Sequence, residues 1–145
     1  MTLLLEQITP EETIFVGQLN IDAPGTLVGR RAYGRMADEQ VRLTERFVAE
    51  LTKDGDWEAV TPVDTAIAAV RYTGRLPDGT LRSGSQIDGL QDQIVSRVLT
   101  DRRNWISPTT TVGKRAIRVM VISYLTRWEH LEELIRELRK AASEL

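Results

Sequence analysis

Residues 105–127 read Trp105-Ile-Ser-Pro-Thr-Thr-Thr-Val-Gly-Lys-Arg-Ala-Ile-Arg-Val-Met-Val-Ile-Ser-Tyr-Leu-Thr-Arg127, and this stretch decides the fold. It predicts two strands, over 104–112 and 115–123, joined by a turn at Gly113-Lys114. Along the second strand, alternation places Ala116, Arg118, Met120 and Ile122 on one face and Ile117, Val119 and Val121 on the other. Arg118 is the one charge within 116–122, so the strand is expected to be covered on both sides. A guanidinium buried there requires an anion, because an unpaired buried charge costs several kcal/mol. Two readings stay open. Arg118 pairs with a carboxylate of this chain, or its fork meets a carboxylate or phosphate across a cleft.

Downstream, Thr126 and Glu129 have the spacing of a capping box. Leu131, Leu134, Ile135, Leu138 and Ala142 then form the apolar stripe of a closing helix, with Glu132 and Arg136 as an i,i+4 pair. Upstream, Ile87, Leu90, Ile94, Val95, Val98 and Leu99 predict a second helix ending near Asp101. Residues 74–85 hold Pro77-Asp78-Gly79 and Ser83-Gly84 and read as a loop. Strands are predicted over 57–61, ended by Pro62, and over 66–72. A further helix runs over 33–53, with Met36, Leu43, Phe47, Val48 and Leu51 on one side and Gly55 suited to cap it. The order is helix, two strands, helix, two strands, helix. An α+β domain follows, a small antiparallel sheet with helices packed on one face, over 31–145. Residues 1–30, broken by Pro10, Gly17, Pro24 and Gly25, read as a separate arm of short strands or irregular chain, suited to holding a partner.

A chain of 145 residues favours a single domain with an adequate core. With no cysteine and one histidine, it has neither a thiolate nucleophile nor the ligands of a cysteine or multi-histidine metal site. A net charge of -2 supplies no global attraction for nucleic acid. No run approaches the ~18 apolar residues of a membrane span, and the amino terminus has no basic segment before its short apolar run. The cytoplasm is the expected location.

No phosphate-binding glycine loop, nucleophile elbow or zinc-binding helix motif is present. His130 lies on the last helix, where a partly exposed residue is expected rather than a catalytic base. Arg30-Arg31 is a weaker candidate for anion contact than Arg118 and reads as a solvated helix start. Trp57, Trp105 and Trp128 are expected in the core or an interface.

The run from Trp105 resembles the carboxyl-terminal domain of the group II pyridoxal-phosphate (PLP) decarboxylases, which act on aromatic amino acids, tyrosine and glutamate. The resemblance rests on Trp105 with Ser107 and Thr109, then Gly113, then Ile117-Arg118-Val119, then Thr126 opening a helix. Tyr33-Gly34 before a charged helix, Asp56-Trp57-Glu58 and Arg71-Tyr72 are similar in order and spacing, so the likeness covers about 33–142. It implies the small domain of a fold-type I PLP enzyme, which closes one side of the active-site cleft. It also implies that Arg118 faces the carboxylate of an amino-acid substrate.

The family holds PLP on a lysine that follows a histidine. The three lysines here, Lys53, Lys114 and Lys140, each follow a different residue type, and none is expected to hold the cofactor. The resemblance therefore implies a large PLP-binding chain or domain as partner, an oligomeric assembly, and no catalytic, cofactor-binding or metal-binding residue on this chain alone. Two alternatives stand beside it: a non-catalytic α+β binding or dimerisation module, and the small domain of another PLP enzyme of aminotransferase or cysteine desulfurase type.

Overall fold

A computed structural model describes residues 30–99 and 106–145. The predicted arm over 1–30 lies almost wholly outside the described residues, as does Trp105. The chain divides into two compact units, Met1–Glu39 and Gln40–Leu145. Among the described residues seven elements follow in order: α1 (Arg30–Thr52), β1 (Trp57–Ala59), β2 (Ile67–Tyr72), α2 (Gly84–Val98), β3 (Ile106–Thr111), β4 (Lys114–Met120) and α3 (Trp128–Ser143). The expected order of elements and the α+β class are both found.

The four strands form one antiparallel sheet in the order β1-β2-β4-β3. Pairing of Ala68 and Ile106 with Val119, and of Val70 with Ile117, brings these apolar side chains to one face. They join Phe47 and Leu51 of α1, Ile94 and Val98 of α2, and Leu134 and Leu138 of α3 in a single buried cluster. Each helix contributes residues three and four apart, the stripe that its sequence period predicts. Trp57 pairs across from Tyr72, and the two rings lie 5.2 Å apart at 54°. Gly74 permits this arrangement, because a Cβ there would lie 2.1 Å from the Tyr72 hydroxyl. Both outer strands present limited pairing edges: β1 has three residues, and β3 carries Pro108, whose ring nitrogen has no hydrogen to donate.

Several boundaries differ from expectation for local reasons. Helix α2 starts at Gly84 because Ser83 caps it: Ser83 Oγ accepts from the Gln86 N–H, and Gln86 Oε1 accepts from the Ser83 N–H at 2.8 Å. Helix α3 starts one residue later than a Thr126 cap would place it. A turn in which the Thr126 N–H donates to Ser123 O buries the threonine side chain, and its hydroxyl meets no partner among the described residues. His130 takes the capping role instead, its Nδ1 accepting from the Arg127 N–H at 3.1 Å. The histidine is exposed, as expected.

The β3–β4 turn is centred on Val112 and Gly113, with φ of 51° and 70°, rather than on Gly113-Lys114. Two consecutive positive φ values make the tight hairpin turn whose twist suits the flanking strands, and they align Thr111 with Lys114. A β-branched residue is strained in that region, and Val112 is 76% exposed. Val112→Asn is therefore expected to raise stability by about 1 kcal/mol in urea denaturation.

Candidate functional site

Among the described residues, the side of the sheet away from the helices is exposed at Arg118 and Ile122, and this corrects the expectation that β4 is covered on both faces. Alternation holds: Ile117, Val119 and Val121 are sealed by the core, while on the other face Arg118 is exposed and Ile122 is 61% exposed, although Ala116 there is fully buried. Arg118 sits in a cross-strand row between Ala69 of β2 and Ser107 of β3. Its Nε donates to Ser107 Oγ at 3.1 Å, and it forms no ion pair among the described residues. The internal ion-pair reading is thus not realised at Arg118. The hydroxyl steadies one edge of the guanidinium, while its terminal Nη groups meet no acceptor among the described residues. Ala69, half-buried, and Ala116, fully buried, flank it on the same face. This arrangement can receive a carboxylate or phosphate oxygen end-on.

The buried arginine is Arg71, one row away on the same face and 5% exposed. Its Nη1 donates to Asp88 Oδ1 and to the Arg115 carbonyl, both at 2.7 Å, and its Nε lies 3.9 Å from Glu58 Oε1. Glu58 also pairs with Lys114 at 3.1 Å. Asp88 in turn accepts from the Arg115 N–H at 3.3 Å. The rule that a guanidinium in an apolar strand needs an anion therefore holds, at Arg71. The same signal was present there, an arginine within Ile67–Tyr72.

Beside this network, Gln91 of α2 is fully buried and completes the sheet. Its Oε1 accepts from the Tyr72 N–H at 3.0 Å, and its Nε2 donates to Tyr72 O at 2.9 Å and to Ile87 O at 2.7 Å. The amide acts as a strand rung at Tyr72, beyond the last β2–β4 pair at Val70. At the neighbouring edge, Arg115 grips Asp92, with Nη2 to Oδ1 at 2.6 Å, and this hydrogen bond raises the Arg115 pKa further.

Arg30 and Arg31 open α1 as exposed residues of the first unit. Trp57 is buried in the core, and Trp128 is half-buried beneath the Arg46 guanidinium, 3.7 Å from the ring centroid. All three lysines are described. Lys53 pairs with Glu50 and Lys114 with Glu58, while Lys140 lines a groove of about 160 Å³ between α2 and α3, beside Glu137 and Glu144. Arg97 also lines that groove but is engaged with Glu144 at 2.8 Å, so the groove's two cations are matched by two carboxylates, and the first turn of α2 is already capped by Ser83. The residues present do not fit PLP held on a lysine of this chain.

The fold is that of one portion of PLP-dependent decarboxylases. Oryza sativa TDC with PLP and tryptamine matches with a TM-score of 0.71 at 18% identity, over 80% of this chain and 24% of its own. The glutamate decarboxylase domain of the diaminobutyrate-pyruvate transaminase and L-2,4-diaminobutyrate decarboxylase from Vibrio parahaemolyticus matches with a TM-score of 0.61 at 18% identity, over 79% and 23%. In sequence, the chain is similar to an aromatic-L-amino-acid decarboxylase of Bacillus atrophaeus, 26% identical over 156 residues, covering 97% of this chain and 32% of the relative. No family model matches. The resemblance to the carboxyl-terminal domain of the group II decarboxylases thus holds in sequence and in fold. The chain spans about a third of the length of the curated relative and about a quarter of these solved structures. Among the described residues no helix is long and apolar enough to cross a membrane.

Proposed function

We propose that this chain is the cleft-closing small domain of a PLP-dependent amino-acid decarboxylase, working in the cytoplasm with a large PLP-binding domain or chain in an oligomeric assembly. In this reading Arg118 anchors the carboxylate of the amino-acid substrate. The observation that carries it is an exposed arginine on the sheet whose terminal nitrogens are uncommitted among the described residues while its neighbour Arg71 is engaged by Asp88 and the Arg115 carbonyl. The cofactor, bound elsewhere, supplies the electron sink for loss of carbon dioxide; this chain supplies a wall and a positioned cation. The alternatives of a non-catalytic module or another PLP enzyme's small domain have no comparable observation in their favour.

Mixing the chain with PLP and reducing with borohydride tests the division of roles. The expected result is no stoichiometric pyridoxyl-lysine on this chain, and one on the large partner in the purified assembly. A stoichiometric adduct at Lys53, Lys114 or Lys140 with turnover by the chain alone overturns the reading.

A further inference from the structure

The turn between β4 and α3 commits its backbone amides one by one. The Leu125 N–H donates to Ser123 Oγ at 3.2 Å, and the Thr126 N–H donates to Ser123 O at 3.0 Å. The Arg127 N–H donates to His130 Nδ1 at 3.1 Å, and the His130 N–H donates back to Arg127 O, also at 3.1 Å. This reciprocal pair occupies the two capping-box positions of α3, with imidazole where glutamate or glutamine usually stands. The Thr126 hydroxyl is buried, and His130 is the one histidine of the chain. The side-chain acceptor that opens α3 is therefore a titratable ring.

We propose that His130 is a clasp released by protonation: neutral, it ties the first turn of α3 to the turn that follows β4, and protonated it lets go. This stands apart from the function proposed above. An imidazole accepts only through a nitrogen that carries no hydrogen, and in the cation both nitrogens carry one. The cation also sets positive charge at the N-terminal end of a helix, where unpaired backbone N–H groups oppose it. His130 is exposed, so a proton reaches it from solvent without any opening of the core. The charged side chains at this end are Arg127, Glu129 and Glu133 beside it, and Arg46 of α1 over the Trp128 ring, with Arg42 one turn earlier on α1. None of them changes the requirement that the accepting nitrogen be free of hydrogen. The clasp is thus present on the alkaline side of the imidazole titration and lost as pH falls. Release is confined to the root of α3. The β4 end of the turn is held by Gln40, whose amide does not titrate and donates to Ile122 O at 2.8 Å. The far end of α3 is tied by Arg139 to Glu50 O at 2.9 Å and to Asp54 at 2.8 Å.

Amide hydrogen exchange, followed by NMR on the full 145-residue chain, tests this. Each rate is divided by the intrinsic rate at the same pH, which removes the ordinary pH dependence of exchange. Arg127 is expected to lose about fivefold or more of its protection between about pH 8 and pH 5, the interval in which an imidazole changes charge, while Leu138 in the middle of α3 keeps its own. Glutamine supplies an acceptor that does not titrate, so His130→Gln is expected to protect Arg127 equally at both values. His130→Ala is expected to leave Arg127 at the low level throughout. Equal protection of Arg127 at both pH values in the parent chain overturns the clasp. So does the same loss in His130→Gln, which assigns the titration to a carboxylate. A parallel loss at Leu138 overturns it as well, because the event is then unfolding of the whole helix.

Discussion

Arg118→Ala is expected to lower kcat/KM of the proposed decarboxylase assembly roughly 100-fold, a loss of about 3 kcal/mol of transition-state binding. Stability should shift by no more than about 0.5 kcal/mol, since the side chain is exposed and its described bond is a single one to Ser107. Arg118→Lys retains the charge but loses the planar fork, so partial recovery with a raised KM is expected. Steady-state kinetics beside urea denaturation separates the outcomes. Unfolding of Arg118→Ala would make the guanidinium structural, and unchanged kinetics would remove it from the site.

Gln91→Leu is expected to destabilise the fold by about 2–4 kcal/mol at nearly constant side-chain volume. The loss comes from Tyr72, whose N–H and C=O both bond to the Gln91 amide and would be left without those partners beside the core. Gln91→Glu keeps an acceptor for the N–H but removes the donor to Tyr72 O, and adds a buried charge, so it should also be destabilising. A midpoint within experimental error of the parent would show that Tyr72 finds other partners and that the amide is dispensable.

Element order and core stripes were legible in the sequence because period 3.6 and period 2 record which side chains must leave water. Leu131, Leu134, Ile135 and Leu138 are all buried, and so are Ile117, Val119 and Val121. Alternation separates the two faces of a strand but does not say which of them another layer covers. That is why Arg118 was expected inside and lies outside, while Arg71 lies inside. Gln91 left no pattern to read, since its role depends on β2 meeting a helix at Tyr72, a tertiary coincidence. Likewise the Thr126-x-x-Glu129 spacing lost to a backbone turn that draws Thr126 inward and leaves His130 to cap the helix.

Pro108 and the brevity of β1 have a further consequence. A domain with one bare sheet face would ordinarily be prone to stack strand against strand into fibrils when produced without company. With a proline in one rim and three residues in the other, such growth finds few backbone groups to extend from.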